Sequence, residues 1–424
     1  MTYDSIVSST SKPPLLPIIS TFLILALIMS SATNTNAAAV SSSESSRKPI
    51  LGIYYSSWSA YDKTNTTLVS NLPASELTHI FYAFARIGVT SGKCELADVW
   101  ADLQRPFDDT INSNHTYDGN IGQLRLLKEK HPHLKTLLSV GGWTMSRGFS
   151  DAASNATARQ TLAESCVNLM RTHGFDGIDL DWEHVGAKAH WSTEFRIDED
   201  GVNYTKLLQA FRDEMHHDEL LTAAYPMATR ALERIELKKV VQILDFMNFM
   251  MYDLAGNWTE TTSHHAPFRS NPDMPNAKEN MVDLTDLVLN TIGEDMSQKV
   301  VMGVPFYGRA WDGVAFNNET KPELHGLFAP YNRSSKFCQQ SYDYNVIQRN
   351  FTAQQGWLEM WDNASKVPVL YNEAERKVCS YENPTSLAIK AEFIRSKKLG
   401  GAFAWEFKAD NSKRELFKAL ADHL

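Results

Sequence analysis

Phe175-Asp176-Gly177-Ile178-Asp179-Leu180-Asp181-Trp182-Glu183 sets three carboxylates two residues apart, Asp179, Asp181 and Glu183, alternating with Ile178, Leu180 and Trp182. Side chains of a β-strand point to opposite faces with period two, so the three acids share one face and the apolar trio the other. Neighbours on one face lie roughly 6 to 7 Å apart. Like charges that close and turned inward do not all ionise, which keeps a carboxylic acid protonated near neutral pH. The segment therefore reads as an acid catalyst with its tuning partners. Two other readings stay open on these residues alone. One is a solvated strand face, although no Lys, Ser or Thr is mixed in. The other is a set of calcium ligands, although Ile178, Leu180 and Trp182 want burial rather than a polar turn. Asp176 has the opposite parity and reads as a structural acid at the strand start.

Outward from this segment, apolar strand-like runs recur at 51–56, 78–85, 135–140, 177–181, 221–225, 243–251, 299–305 and 401–405, with helical segments between them. Eight runs are enough to close a barrel, and alternating strand and helix implies a parallel sheet covered by helices. The expected class is α/β, a (β/α)₈ TIM barrel, with a doubly wound open sheet as second choice. Nearly a hundred residues separate the seventh run from the eighth. A loop that long is not structureless in a compact domain, so a small α+β subdomain is expected at 311–384, between strands 7 and 8. In such a barrel Glu183 reaches the C-terminal rim where active sites lie, and Asp179 sits deepest.

The chain of 424 residues carries a formal charge of −9. No Lys/Arg run is dense enough for nucleic-acid binding, and the acidic balance disfavours anionic substrates. A neutral polymer remains compatible, and 10 Trp, 15 Tyr and 20 Phe supply rings for stacking as well as for the core. An apolar run at 18–29 precedes Ala37-Ala38-Ala39, which reads as a signal peptide over 1–39, followed by a Ser-rich linker over 40–48. The run is short for a bilayer span, and a signal anchor is the alternative. Nine sequons follow, at Asn65, Asn114, Asn155, Asn203, Asn257, Asn318, Asn332, Asn350 and Asn363. Together with the leader they point to a secreted, extracellular glycoprotein with no membrane attachment after signal cleavage. Of four cysteines, Cys338 and Cys379 are the expected disulfide, Cys166 lies in a helical pattern as a free thiol, and Cys94 is open. His264-His265 invites a metal reading, but adjacent residues diverge and no partner ligands stand at useful spacing, so no metal and no cofactor are expected.

The chain resembles glycoside hydrolase family 18, the chitinases and their lectin-like relatives. Asp176, Asp179, Asp181 and Glu183 match that family's DxxDxDxE signature. Ser139-Val140-Gly141-Gly142-Trp143 is similar to its SxGG segment, and Met250-Met251-Tyr252-Asp253 to its MxYD segment. Gly303-Val304-Pro305-Phe306-Tyr307-Gly308-Arg309 and residues 400–405 are similar to its seventh and eighth strands, and all lie in family order over 49–424. The resemblance implies retaining hydrolysis of β-1,4 bonds between N-acetylglucosamine units of chitin or chito-oligosaccharides, with no enzyme nucleophile. Glu183 would protonate the glycosidic oxygen while the substrate's acetamido carbonyl attacks the anomeric carbon to give an oxazolinium ion. Asp181 would orient the acetamido group, Asp179 share a proton with Asp181, Tyr252 bond the acetamido oxygen and Asp253 contact the sugar. Trp405 would floor the cleaved subsite, with Trp143 and Trp58 flanking it and Tyr54, Gly142, Met250, Tyr307 and Arg309 lining the cleft, Met250 as packing under the floor and Arg309 with a salt bridge as its alternative. Phe403 stands where members often carry Met, no Cys stands at Gly52 or Ile53, and the loop 186–200 matches nothing assignable. A non-catalytic chitin lectin and an endo-β-N-acetylglucosaminidase acting on N-glycans are the alternatives, and a monomer is expected.

Overall fold

The runs rich in β-branched, aromatic and other apolar residues form the strands of the computed structural model, which describes residues 48–63, 67–107, 117–188, 194–274, 278–316 and 322–424. In chain order they are β1 (Ile50–Ser56), β2 (His79–Ile87), β3 (Cys94–Leu96), β4 (Lys135–Gly141), β5 (Gly177–Asp181), β6 (Leu220–Pro226), β7 (Phe246–Met250) and β8 (Val300–Pro305). Next come β9 (Tyr307–Asp312), β10 (Ser341–Asp343), β11 (Leu358–Asp362), β12 (Val367–Asn372), β13 (Lys377–Ser380) and β14 (Gly401–Trp405). The helices are α1 (Gly119–Lys130), α2 (Phe149–Ala153), α3 (Ala156–His173), α4 (Asp200–Glu214), α5 (Thr229–Leu232), α6 (Leu237–Ile243), α7 (Met281–Ile292), α8 (Tyr344–Asn350), α9 (Pro384–Ser396) and α10 (Glu415–His423).

Eight strands, β1, β2, β4, β5, β6, β7, β8 and β14, pair in parallel. Pairing of β1 with both β2 and β14 closes the ring, which settles the TIM barrel over the open sheet. Every residue of β1, β5, β7 and β8 is buried, as strands covered on both faces must be. The sixth expected run, 243–251, overshoots the strand at its start, because Ile243 closes α6 and β7 begins at Phe246. The short strand β3, antiparallel to β2, was not foreseen.

Parity divides the core. Tyr54, Phe81, Leu137, Val301 and Phe403 fill the barrel interior, while Ile53, Tyr82, Leu138, Ile178 and Leu180 pack outward under the helices. Phe403 is accommodated by a missing side chain opposite: a Cβ on Gly303 would lie 2.4 Å from its ring. It is wholly buried below the floor rather than part of the cleft surface.

Between β8 and β14, strands β9 to β13 form a separate antiparallel sheet in the order β10-β9-β13-β12-β11, accompanied by α8. This sheet begins at Tyr307, earlier than the expected boundary at 311, because β9 follows β8 after one residue. The expected Cys338–Cys379 bridge is absent, and both thiols are free. Cys379 packs into the core beneath the barrel helices and Cys338 into the sheet's own cluster, so the two belong to different cores. Cys94 instead lies beside Cys166, where the thiols hydrogen-bond across β3 and α3 and the Cys94 N–H donates to Ser165 Oγ at 2.9 Å.

Among the sequons, Asn203 is buried on α4, which leaves no space for a glycan there. Asn155, Asn332, Asn350 and Asn363 are exposed and Asn257 is half-buried. The sequons Asn65, Asn114 and Asn318 lie outside the described residues, as do the leader and all but Lys48 of the linker.

Candidate active site

Strand β5 turns Asp179, Asp181 and Glu183 to the barrel interior and rim, and the three carboxyls meet three different environments. Asp179 is fully buried and accepts four hydrogen bonds from four strands. Tyr54 Oη (2.7 Å) and Ser139 Oγ (2.8 Å) donate to Oδ2, while Thr222 Oγ1 (2.7 Å) and Asn248 Nδ2 (3.1 Å) donate to Oδ1. Burial pushes its carboxyl up, and the four donors pull back toward the ionised form. Asp181 has no such support, and its Oδ1 is buried without a hydrogen-bond partner. Burial first, then the charges of Glu183 and Asp179, hold its carboxyl well above the usual range, so it keeps its proton. Charge rather than a shared hydrogen bond couples Asp181 to Asp179 among the described contacts.

Glu183 sits at the strand's end with its side chain 16% exposed. Its N–H donates to Ser146 Oγ at 2.8 Å, and the same hydroxyl donates to the carbonyls of Gly142 and Asp181, fixing the turn that presents the acid. Burial, then the charge of Asp253, raises the Glu183 carboxyl to about 8. It is therefore a neutral acid at pH 7, with the proton that general-acid catalysis requires.

Beyond β7, Tyr252 and Asp253 enter from the next turn. Asp253 adopts a left-handed backbone, φ 58°, a conformation that non-glycine residues take at a cost and most often at functional sites. Arg309 of β9 grips both its oxygens, Nε to Oδ1 and a terminal nitrogen to Oδ2, each at 2.7 Å. Burial alone would raise Asp253; the Arg309 guanidinium and His265 outweigh it and hold the carboxyl ionised, well below the usual range.

Aromatic rings line the mouth. Trp405 stacks on Phe84 at 5.7 Å and lies 6.4 Å from Trp58, which is 36% exposed. Trp143 is exposed beside His184, and Trp258 is exposed with the Arg309 guanidinium 5.3 Å over its ring. Tyr61 and Trp100 form a further exposed stacked pair at 5.2 Å. A Cβ on Gly142 would lie 2.6 Å from the Phe84 ring, so this glycine, at φ 82°, allows Phe84 to approach the backbone under Trp405.

A model of glycosyl hydrolases family 18 matches residues 50–410. The chain belongs to glycosyl hydrolase family 18. It is 32% identical to Chitinase A1 of Niallia circulans over 95% of this chain and 62% of that enzyme, and 31% identical to Chitinase 1 of Aphanocladium album over 84% of this chain and 81% of that one. The chain thus spans less than two thirds of the first of these relatives. Among solved structures, chitinase ChiA74 from Bacillus thuringiensis superposes with a TM-score of 0.80 at 30% identity, covering 89% of this chain and 70% of that one. The Ostrinia furnacalis Group IV chitinase in complex with allosamidin superposes at 0.75 and 25% identity, covering 88% and 98%.

Within this family 18 barrel the five expected catalytic residues come together, and several of the residues expected to line the cleft are engaged with them or packed beneath them. Tyr54 is buried as a donor to Asp179, Met250 packs in the interior, and Arg309 spends its guanidinium on Asp253. Tyr307 is buried against Tyr252 at 6.0 Å. Sequence reading missed Ser139, Thr222 and Asn248 as holders of Asp179, Ser146 as the clamp behind Glu183, Phe84 and Trp258 as rings packed on Trp405 and Arg309, and the exposed pair Tyr61 and Trp100. The available signal was a polar residue inside an apolar run, as Asn248 stands between Met247 and Phe249. Asp176, expected to be structural, accepts the Thr136 N–H at 2.8 Å and pairs with Lys128 at 2.6 Å. His264 pairs with Asp362 at 2.8 Å, away from the acids. No group of three or more potential metal ligands occurs among the described residues.

Proposed function

We propose that the protein is a secreted chitinase that cleaves β-1,4 bonds between N-acetylglucosamine units with retention, using the substrate's own acetamido group as nucleophile. The observation that carries this reading is the disposition of the carboxyls around neutral Glu183. A retaining enzyme needs a nucleophile within reach, and the two other carboxyls that have partners are occupied, Asp179 by four donors and Asp253, the one held ionised, by Arg309. Glu183 gives its proton to the glycosidic oxygen, and the acetamido carbonyl of the sugar in the cleaved subsite attacks the anomeric carbon. Asp181, whose Oδ1 has no partner, then meets the acetamido N–H, and the Tyr252 hydroxyl above it meets the carbonyl side. Glu183, now a carboxylate, takes a proton from the water that opens the oxazolinium ion. Trp405 supplies the floor, Trp58 and Trp143 the platforms on one side and Trp258 on the other. The relatives' names as chitinases, the leader and the exposed sequons support substrate class and secretion.

The test uses a chromogenic chitobioside, its counterpart with hydroxyl in place of acetamido, and chitohexaose. The wild-type chain is expected to turn over the first and not the second, and Glu183→Gln to lose hydrolysis while still binding chitohexaose. Equal turnover by Glu183→Gln, or of the substrate lacking the acetamido group, overturns the mechanism. Binding without product from the wild type would make the protein a lectin.

A further inference from the structure

The imidazole of His265 is fully buried, and neither ring nitrogen has a hydrogen-bond partner. Buried polar atoms left unpaired forfeit their hydration, so each one in a native structure calls for an explanation. The main chain pins this residue from two sides: its N–H donates to Ser380 Oγ at 3.1 Å, and its carbonyl accepts the Leu254 N–H at 3.0 Å. The ring is thereby lodged between the turn after β7 and the antiparallel sheet, with Nδ1 3.8 Å from Asp253 Oδ1 and the Tyr307 ring 5.4 Å away. The charged groups facing it are Asp253 after β7, Arg309 on β9 and Glu382 after β13. Lys390 of α9 pairs with Glu382 and donates to the carbonyl of Ala266, the next residue along. At 3.8 Å a neutral imidazole makes no full hydrogen bond to Asp253, whereas a protonated one closes the gap as an ion pair.

We propose that His265 is a positioning residue of the reaction: neutral, it leaves Asp253 to Arg309 in its place beside Glu183, and on taking up a proton it draws Asp253 out of that place. The inference rests on the hydrolytic reading above. Burial lowers the basicity of His265 and Asp253 opposes this, with the net shift below the ordinary histidine value, so the proton arrives only on the acid side. The consequence reaches the catalytic acid because Asp253's charge is, after burial, what holds the Glu183 proton.

The pH profile of kcat/KM on the chromogenic chitobioside should carry a His265 ionisation in its acid limb. In His265→Asn and His265→Gln, which stay neutral at every pH, that limb is expected to become shallower and to move down by about half a pH unit or more, while the alkaline limb stays in place. An acid limb unchanged in both variants overturns the proposal. A second measurement needs no turnover: NMR titration of the wild-type chain labelled with ¹³C-histidine, with the His265 resonance assigned by its loss in His265→Gln. Asp253→Asn should move that titration to lower pH, because it removes the anion facing the ring. A His265 titration indifferent to Asp253→Asn overturns the coupling. A shifted titration in a chain that hydrolyses nothing would leave the coupling standing and defeat the hydrolytic reading instead.

Discussion

Replacing Glu183 by Gln should make the protein more stable, and by an amount that grows with pH. In the folded chain the Glu183 carboxyl is raised from 4.5 to about 8, first by burial and then by Asp253. Below pH 4.5 the group is protonated in both folded and unfolded chains and contributes no difference. Between 4.5 and about 8 the folded chain holds the proton and the unfolded chain has released it. Stability therefore falls as pH rises through that window and levels off above it. At about 1.4 kcal/mol per pKa unit the full shift corresponds to at most ~5 kcal/mol, and with local relaxation ~2 kcal/mol is a fair lower figure. Gln cannot ionise, so the variant escapes this loss. Urea denaturation at pH 4, 6 and 9 should show wild type and Glu183→Gln nearly equal at pH 4 and separated by ~2 to 5 kcal/mol in the variant's favour at pH 9. For a barrel of this size that is a melting-point difference of about 3 to 6 °C. A difference that is constant with pH, or that favours wild type at pH 9, would refute the claim that the acid is held protonated by its surroundings.

Asp181→Asn keeps the neutral resting state of that site but cannot pass a proton to Asp179, and so cannot become an anion when positive charge develops on the acetamido group. It should lower kcat by ~10²- to 10³-fold with little change in KM, and a rise in KM at constant kcat would assign Asp181 to binding alone. Thr222→Val removes one of the four donors to Asp179 at nearly constant volume, which should cost ~0.5 to 1.5 kcal/mol in urea melts at pH 7 and push the Asp179 carboxyl further up. A cost of about zero would mean that this hydroxyl does not hold the carboxyl. Thiol titration of the denatured, unreduced protein should count all four cysteines, Cys94, Cys166, Cys338 and Cys379, as free. A loss of two thiols that maps to a Cys338–Cys379 peptide would restore the bridge that their separate packing clusters argue against.

The barrel and the acid strand were legible because both are local signals. Alternation within 177–183 sets which side chains share a face, and apolar runs mark buried strands wherever they fall. What escaped was assembled over distance. The four donors to Asp179 lie 40, 43, 69 and 125 residues from it along the chain, and Arg309 lies 56 from Asp253. The four donors arrive through the ring of strands and Arg309 from the antiparallel sheet, so no spacing announces them; Tyr54 read as cleft lining, and Arg309 as cleft lining or a salt bridge, and the polar atoms of both face carboxylates. The disulfide failed for a related reason. Cys338 and Cys379 share one segment of sequence, but which core each joins depends on pairing in the antiparallel sheet, where Cys379 stands opposite Leu370 and Ala310.

Four carboxyls crowd one barrel mouth, and the fold gives each a different task by giving it a different partner set. Asp179, deepest, is surrounded by hydroxyls and an amide, whose dipoles oppose the upward push of burial on its carboxyl. Asp253, at the side, is held by a guanidinium, so its charge is fixed yet locally balanced. Asp181 and Glu183 have no cation of their own, and there burial and repulsion both favour the proton. The three acids of one strand thus differ by their partners, and the fourth, Asp253 after β7, supplies the fixed charge beside Glu183. A positive charge that develops on an attacking acetamido group would find Asp253 beside Glu183 already ionised and held, with no reorganisation needed. This also explains why the supporting residues are spread over five other strands: the closed ring brings the donors on β1, β4, β6 and β7 to Asp179, and β9 of the antiparallel sheet brings Arg309 to Asp253.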